Sequence, residues 1–412
     1  MIATSFSDNH QAQTTFRLIE VRGGLAAVPG IKLAGVYAAI KRPKRDLALI
    51  AFENPQVCAS VITTNEIKAA PLVVSEEHLA AKGDRMRALV CNSGCANACT
   101  GEIGERDARE TARQTAELLG IEPDEVIIAS TGVIGVPMPM ERLSKGLELA
   151  FDSLSEGGQV GYDAAEAIMT TDRIPKLAAY AFYDGETRYV VGGIAKGSGM
   201  IAPHLATMLG FIATNAPMSR EVLQQHLRAA CDASFNMISV DGDMSTNDAV
   251  YAFAPPGKDA APQGFAQALN VLTRDLAIAI VHDGEGATKT LTLEVTGARD
   301  LTQARQVALS VVNSSLVKTA VHGEDPNWGR IIAAAGSAQT RIDPTTWSLF
   351  INGKLWVERG AGERLSEAQA HAELEGTRIV IRLDLGIGNA QATAWGCDLS
   401  SEYVNINAHY RT

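Results

Sequence analysis

The stretch from Lys196 to Thr214 constrains this chain more than any other. Gly197, Ser198 and Gly199 supply a glycine turn, and Thr207 to Thr214 follows as an apolar, β-rich run. A run of that length and composition, bounded by turn residues, predicts a buried core strand. At its head stands Ala206-Thr207, a hydroxyl residue after a small one. A peptide bond preceding a threonine can be attacked by that threonine's own hydroxyl, giving an ester that water opens. The products would be one chain ending at Ala206 and another beginning at Thr207. A terminal Thr207 would combine nucleophile and base, because an α-amino group titrates at roughly 7.7 to 8.0. An isolated Ala-Thr pair implies nothing beyond packing, so the residues around it must decide.

The 412 residues, 46% hydrophobic and 20% charged, are enough for two or three cores at roughly 150 residues per domain. A net charge of -11 argues against nucleic acid or an anionic membrane as the main partner. It leaves room for local basic pockets that take small carboxylates. No apolar run approaches the roughly 20 residues that span a bilayer, and the polar start lacks a signal pattern. The expectation is a soluble, cytoplasmic protein. Cys58, Cys91, Cys95, Cys99, Cys231 and Cys397 do not suggest a disulfide framework in such a compartment. Cys91, Cys95 and Cys99 recur every fourth residue, but zinc sites favour a C-x2-C pair or a nearby histidine, so these read as structural.

Along the chain, Leu47 to Phe52 and Val57 to Thr63 read as two strands, and Arg109 to Leu119 as a helix. A strand from Glu125 to Ala129 leads into Ser130-Thr131-Gly132, and a hairpin turns at Asp184-Gly185. Helices are predicted over Arg220 to Ser234, Phe265 to Ala279 and, as one long element, Thr302 to Thr319. Further strands fall at Leu291 to Val295, Trp347 to Ile351, Arg378 to Leu383 and Gln391 to Trp395. Hairpin-like neighbours without strict βαβ alternation predict an α/β fold with mixed sheets.

Three clusters invite misreading. Lys196-Gly197-Ser198 inverts the residue order of a phosphate loop. Asp241-Gly242-Asp243 opens like a calcium loop but lacks the glycine at loop position six and has Ala252 at position twelve. Asp283-Gly284-Glu285-Gly286 is an acidic turn that packing alone would make a solvated cap, yet its glycines would let Glu285 approach a ligand ammonium. By contrast, a Gly132 N–H beside a Thr131 hydroxyl gives two donors of the kind an oxyanion needs. Lys196, upstream of Thr207, is a point charge suited to a carboxylate.

Taken together these residues resemble the ornithine acetyltransferase (ArgJ) family. The matching blocks include Gly30-Ile31-Lys32, Asn92-Ser93-Gly94, Ser130 to Gly135, Met169 to Asp172, Lys196 to Pro203 and Ala206 to Leu209. They continue through Val240 to Asp243, Ser245 to Asp248, Asp283 to Lys289, Gly323 to Arg330 and Tyr403 to Thr412. In order, they cover almost the whole chain. The resemblance implies an ArgJ-type fold, similar in logic to N-terminal-nucleophile hydrolases. It implies self-cleavage into an α chain 1–206 and a β chain 207–412, paired as αβ units that form a heterotetramer. It implies Thr207 as nucleophile, Thr131 and Gly132 as the oxyanion hole, and a substrate site of Thr170, Lys196, Thr207, Glu285, Asn407 and Thr412. The implied reaction moves an acetyl group from N-acetylornithine to glutamate in arginine biosynthesis. One amide replaces another, so the reaction calls for no metal and no cofactor. Acetyl-CoA would enter only as a substrate of a bifunctional form.

The chain departs from the family at His204, usually Asn, and at Leu205, often Met. Both lie within three residues of the scissile bond, so the departure bears on the rate of self-cleavage. A different chemistry with the same threonine, an aminopeptidase or amidase, would pass the acyl group to water. A binding protein descended from the family would be uncut and inert.

Overall fold

The structure, a computed structural model, describes residues 17–41, 43–202 and 208–409. Ala206, Thr207 and Thr412, together with His204 and Leu205, lie outside the described residues.

The larger sheet is built from β1 (Leu18–Glu20), β2 (Ile31–Val36), β3 (Leu47–Ile62), β4 (Met86–Cys95), β5 (Val126–Val133), β6 (Lys176–Asp184), β7 (Thr187–Lys196), β8 (Leu209–Thr214) and β10 (Ala249–Ala254). Its order is β1-β6-β7-β8-β10-β3-β4-β5, with β2 on the first half of β3. The smaller sheet runs β13 (Lys354–Val357), β12 (Ser348–Ile351), β14 (Arg378–Asp384), β11 (Thr290–Ala298), β15 (Ala390–Cys397) and β9 (Ile238–Ser239). Parallel pairs β4/β5 and β8/β10 sit among antiparallel neighbours, as do β11/β14 and β9/β15 in the smaller sheet. Both sheets are mixed, as the hairpin-like sequence pattern predicts.

Helices cover these sheets. In chain order they are α1 (Ala70–Lys82), α2 (Gly101–Leu119), α3 (Met140–Asp152), α4 (Gly158–Ala167), α5 (Arg220–Ala233) and α6 (Phe265–His282). Then come α7 (Leu301–Val312), α8 (Ser315–His322), α9 (Trp328–Gly336), α10 (Glu367–Ala372) and α11 (Ser401–His409). Helix α6 is apolar on most of its circumference because it packs on β6 and β7 on one side and reaches β15 of the smaller sheet on another. Its Leu272, Leu276 and Ile280 belong to a core shared with Leu291, Leu293 and Val295 of β11.

Two elements are divided differently from the sequence reading, and the helix expected from Arg109 begins at Gly101. The two strands expected over 47–52 and 57–63 are one strand, β3, which changes partners along its length. Leu47 to Phe52 lies between β2 and β4, and Val57 to Ile62 pairs with β10, with a register irregularity between Ala51 and Gln56. The exposed residues Glu53 and Asn54, with Pro55, mark that handover and produce the apparent gap. Conversely, the long helix expected over 302–319 is two helices. The chain stops at Asn313 and restarts with the Ser314 side chain accepting the Val317 N–H, which makes Ser314 an N-cap. Replacing Ser314 with Ala should lower stability by about 1 kcal/mol, read as a small drop in the thermal unfolding midpoint.

Candidate active site

The strand β8 begins at Leu209, two residues after Thr207, in the middle of the larger sheet. Leu209 pairs with Lys196 of β7 on one side and Ala249 of β10 on the other. The Met208 carbonyl accepts the Ala249 N–H at 3.2 Å. Beside this strand head opens a cavity of about 310 Å³. Its walls include Thr131, Gly132, Thr170, Lys196, Glu285 and Asn407, residues that are far apart in sequence.

Thr131 and Gly132 arrive on the end of β5, paired with Ser93 and Gly94 of β4. Gly132 has φ +129°, a region L side chains rarely adopt, and a Cβ there would sit 2.7 Å from the Cys95 nitrogen. Only glycine permits that approach of two backbones. Thr131 itself lines the cavity. Just before it, Ser130 is locked by Asn247, whose amide donates to the carbonyls of Ser130 (2.9 Å) and Ala96 (2.8 Å).

Lys196 is 2% exposed, and its ammonium makes no hydrogen bond with a described residue. A buried polar group in that state calls for a partner from the cavity, and an anionic one suits an ammonium. Behind it lies a buried ion network. The Lys176 ammonium, itself fully buried, donates to Asp172 Oδ1 and to Asp283 Oδ2, both at 2.7 Å. Asp172 also accepts the N–H groups of Gly197 (2.8 Å) and Thr170 (3.0 Å), which fixes Lys196 and Thr170 relative to each other. Burial alone would raise the Asp172 pKa, but the ammoniums of Lys176 and Lys196 outweigh it and hold the carboxyl well below its usual range.

Asp283 takes the N–H of Arg173 at 2.9 Å and, through its carbonyl, the Ser198 hydroxyl at 2.7 Å. The Glu285 N–H then donates to the Ser198 carbonyl at 2.9 Å, which lays the 283–286 turn against the 197–199 turn. Asp283 and Glu285 are 2% and 7% exposed, so this turn is no solvated cap. Gly199 packs so closely on the Glu285 carboxylate that a Cβ would collide with it. Asn407 of α11 donates to Glu285 Oε2 at 2.7 Å. From behind, Asp398 holds the same loop by accepting the N–H groups of Thr288 and Lys289, both at 2.8 Å. His322, just before the Gly323 to Arg330 block, contacts that carboxylate at 2.8 Å. The block itself turns the corner between α8 and α9, with the Asn327 side chain capping α9.

The structure thus gathers Thr131, Gly132, Thr170, Lys196, Glu285 and Asn407 around one cavity. Thr207, Ala206 and Thr412 lie outside the described residues. Sequence reasoning passed over several residues at the site. Asp172, Asp241 and Asn247 stood inside recognisable blocks, but their role is to fix backbone, which a motif does not reveal. Lys41 had no motif. Its ammonium donates to Ser93 Oγ at 2.7 Å and to the Met169 carbonyl, next to Thr170. Burial pulls its pKa down to about 8, with Asp46 and Asp172 opposing and the Lys196 charge assisting.

The ArgJ family model matches residues 32–412. The chain belongs to the ArgJ family. It is 47% identical over 402 residues to the "arginine biosynthesis bifunctional protein ArgJ" of Symbiobacterium thermophilum, covering 95% of this chain and 99% of that protein. The same-named protein of Dehalococcoides mccartyi is 43% identical, with 95% and 98% covered. Among solved structures, ornithine acetyltransferase from Mycobacterium tuberculosis, complexed with ornithine, is 40% identical over 46% of this chain and 98% of its own, with a TM-score of 0.42. As an ArgJ-family protein the chain is an acyltransferase of arginine biosynthesis. The Asp241 carboxylate accepts the backbone N–H groups of Met200 and Ile201. Of the cysteines, Cys91 and Cys95 are buried and Cys99 is exposed. Among the described residues no helix is long and apolar enough to cross a membrane.

Two outcomes follow from this network. Lys176→Met would strand two buried carboxylates and should cost about 3–5 kcal/mol, visible as a large fall in the thermal midpoint. For Lys41, the folded-state pKa near 8 lies below the ordinary 10.5. Between those values the unfolded chain binds more protons, so this group makes stability rise with pH. Thermal melts from pH 7.5 to 10 should show that rise in the wild type and lose this contribution in Lys41→Met.

Proposed function

We propose that the chain cuts itself between Ala206 and Thr207 and then carries an acetyl group from N-acetylornithine to glutamate on the Thr207 hydroxyl. The observation that supports this most directly is the convergence of Thr131, Gly132, Thr170, Lys196, Glu285 and Asn407 on one cavity beside the head of β8. In this reading the Thr207 α-amine takes the proton as Oγ attacks the acetyl carbonyl. The Thr131 hydroxyl and Gly132 N–H receive the developing oxyanion. Ornithine leaves with its nitrogen reprotonated, and the resulting acetyl ester is attacked by the glutamate α-amine. N-acetylglutamate departs and Thr207 is free again.

Both substrates carry an α-carboxylate, and the buried ammonium of Lys196, at the cavity wall, is the group suited to hold it. Glu285, oriented by Asn407, suits an ammonium. Thr412 completes the proposed substrate site, and paired αβ units form the proposed heterotetramer. The reading needs no cofactor, and the expected compartment is the cytoplasm. The "bifunctional" in the relatives' names favours a second reading in which acetyl-CoA also acylates Thr207.

Denaturing intact-mass measurement should give two species summing to the chain plus one water, broken before Thr207. Thr207→Ala should give one uncut species with no acetyl exchange. Exchange that persisted in that variant would exclude the Thr207 mechanism. Free acetate released without glutamate would point instead to a hydrolase.

A further inference from the structure

The Asp241 turn does something that the acetyl-transfer reading leaves unused. The Ile201 carbonyl receives three backbone N–H groups, from Val240 (2.9 Å), Asp241 (3.3 Å) and Gly242 (3.2 Å). In return, the Asp241 carboxylate accepts the N–H groups of Met200 at 2.5 Å and Ile201 at 2.8 Å. The two segments therefore clasp each other in both directions. Met200 is held at φ +57°, a left-handed conformation unusual for a side chain of this kind. A conformation of that sort persists only where surrounding contacts over-determine it. Tyr403 of α11 adds its hydroxyl to Asp241 Oδ2 at 3.2 Å.

The position of this clasp gives it meaning. Downstream of the proposed scissile bond, Met208 and Leu209 are already fixed by β7 and β10. Upstream, the last described anchor is the clasp on Met200 and Ile201, six residues before Thr207 in the case of Ile201. An intramolecular acyl shift from nitrogen to oxygen depends on holding the hydroxyl against the preceding carbonyl, and a misplacement of about 1 Å can cost about 10²-fold. One free arm would forfeit that alignment.

We infer that Asp241 is the positioning residue for self-cleavage, fixing the upstream arm of the scissile segment through the N–H groups of Met200 and Ile201. The inference rests on the proposed cut before Thr207. Asp241 itself does not touch the reacting atoms in this scheme. Its partner turn is held in place by the Ile201 carbonyl.

The test is cell-free synthesis of the full chain as wild type, Asp241→Ala and Asp241→Asn, following the cut fraction by denaturing intact mass. Asp241→Ala is expected to cut about 10²-fold more slowly. Asp241→Asn, which keeps one acceptor oxygen, should recover part of the rate. Burial raises the Asp241 pKa, so wild-type cleavage should slow as acidification removes its charge, and Asp241→Asn should lack that limb. Asp243, Tyr403 and Cys397 are titratable neighbours that face it, with Glu285 acting on Tyr403, and they are unchanged in the variant. His204 is also common to both chains. Cleavage of Asp241→Ala at the wild-type rate would overturn the inference. Should that variant show no cooperative melt, Asp241→Asn decides, and wild-type rate and pH profile there would overturn it equally. A wild-type chain that is never cut would instead sink the cleavage reading beneath it.

Discussion

One ammonium between two carboxylates holds the site together. Lys176 is buried with Asp172 and Asp283, and both acids also accept backbone N–H groups of the 170–174 segment, Asp172 from Thr170 and Asp283 from Arg173 and Ile174. Asp172 fixes Thr170 and Gly197, while Asp283 fixes Arg173 and, through its carbonyl, Ser198. Removing charges from water is costly, and such a group survives only with its hydrogen bonds complete. Here completion and loop placement are the same contacts. The cost of burying the ions is thereby tied to the geometry that brings Lys196, Thr170 and Glu285 to one cavity.

The sheet supplies the complementary constraint. Strand β3 hands its pairing from β2 and β4 to β10, so the β5 end that bears Thr131 and the β7/β8 pair belong to one continuous sheet. Thr131 and Lys196 are thus positioned by strand ends, which are stiffer supports than loops. The Glu285 turn comes from outside that sheet, at the end of α6, and needs Ser198, Asp398 and Asn407 to seat it.

Much of this was legible in the sequence, for identifiable reasons. Alternating hairpin-like runs gave the mixed sheets, and motif blocks located Thr131, Gly132, Lys196 and Glu285. The unity of β3 was hidden, because Glu53 and Asn54 are exposed where the strand changes partners and look like a turn. The division between α7 and α8 was hidden too, since Ser314 is an N-cap inside an uninterrupted apolar periodicity. Lys176 and Lys41 carried no signal at all. A lysine at a strand end or in a bend reads as solvated, and only the fold reveals that Asp172 and Asp283, or Ser93 and Met169, converge on it.

The register of β7 with β8 has a consequence for what a cut before Thr207 would produce. Nine strands form the larger sheet, and the two that follow that bond, β8 and β10, lie side by side between β7 and β3, which precede it. Two chains made this way would be interwoven like laced fingers, each supplying the other's hydrogen-bonded neighbours. They could come apart only by melting the sheet. The break would be complete as chemistry, yet the folded particle would keep its size and gain only the mass of one water.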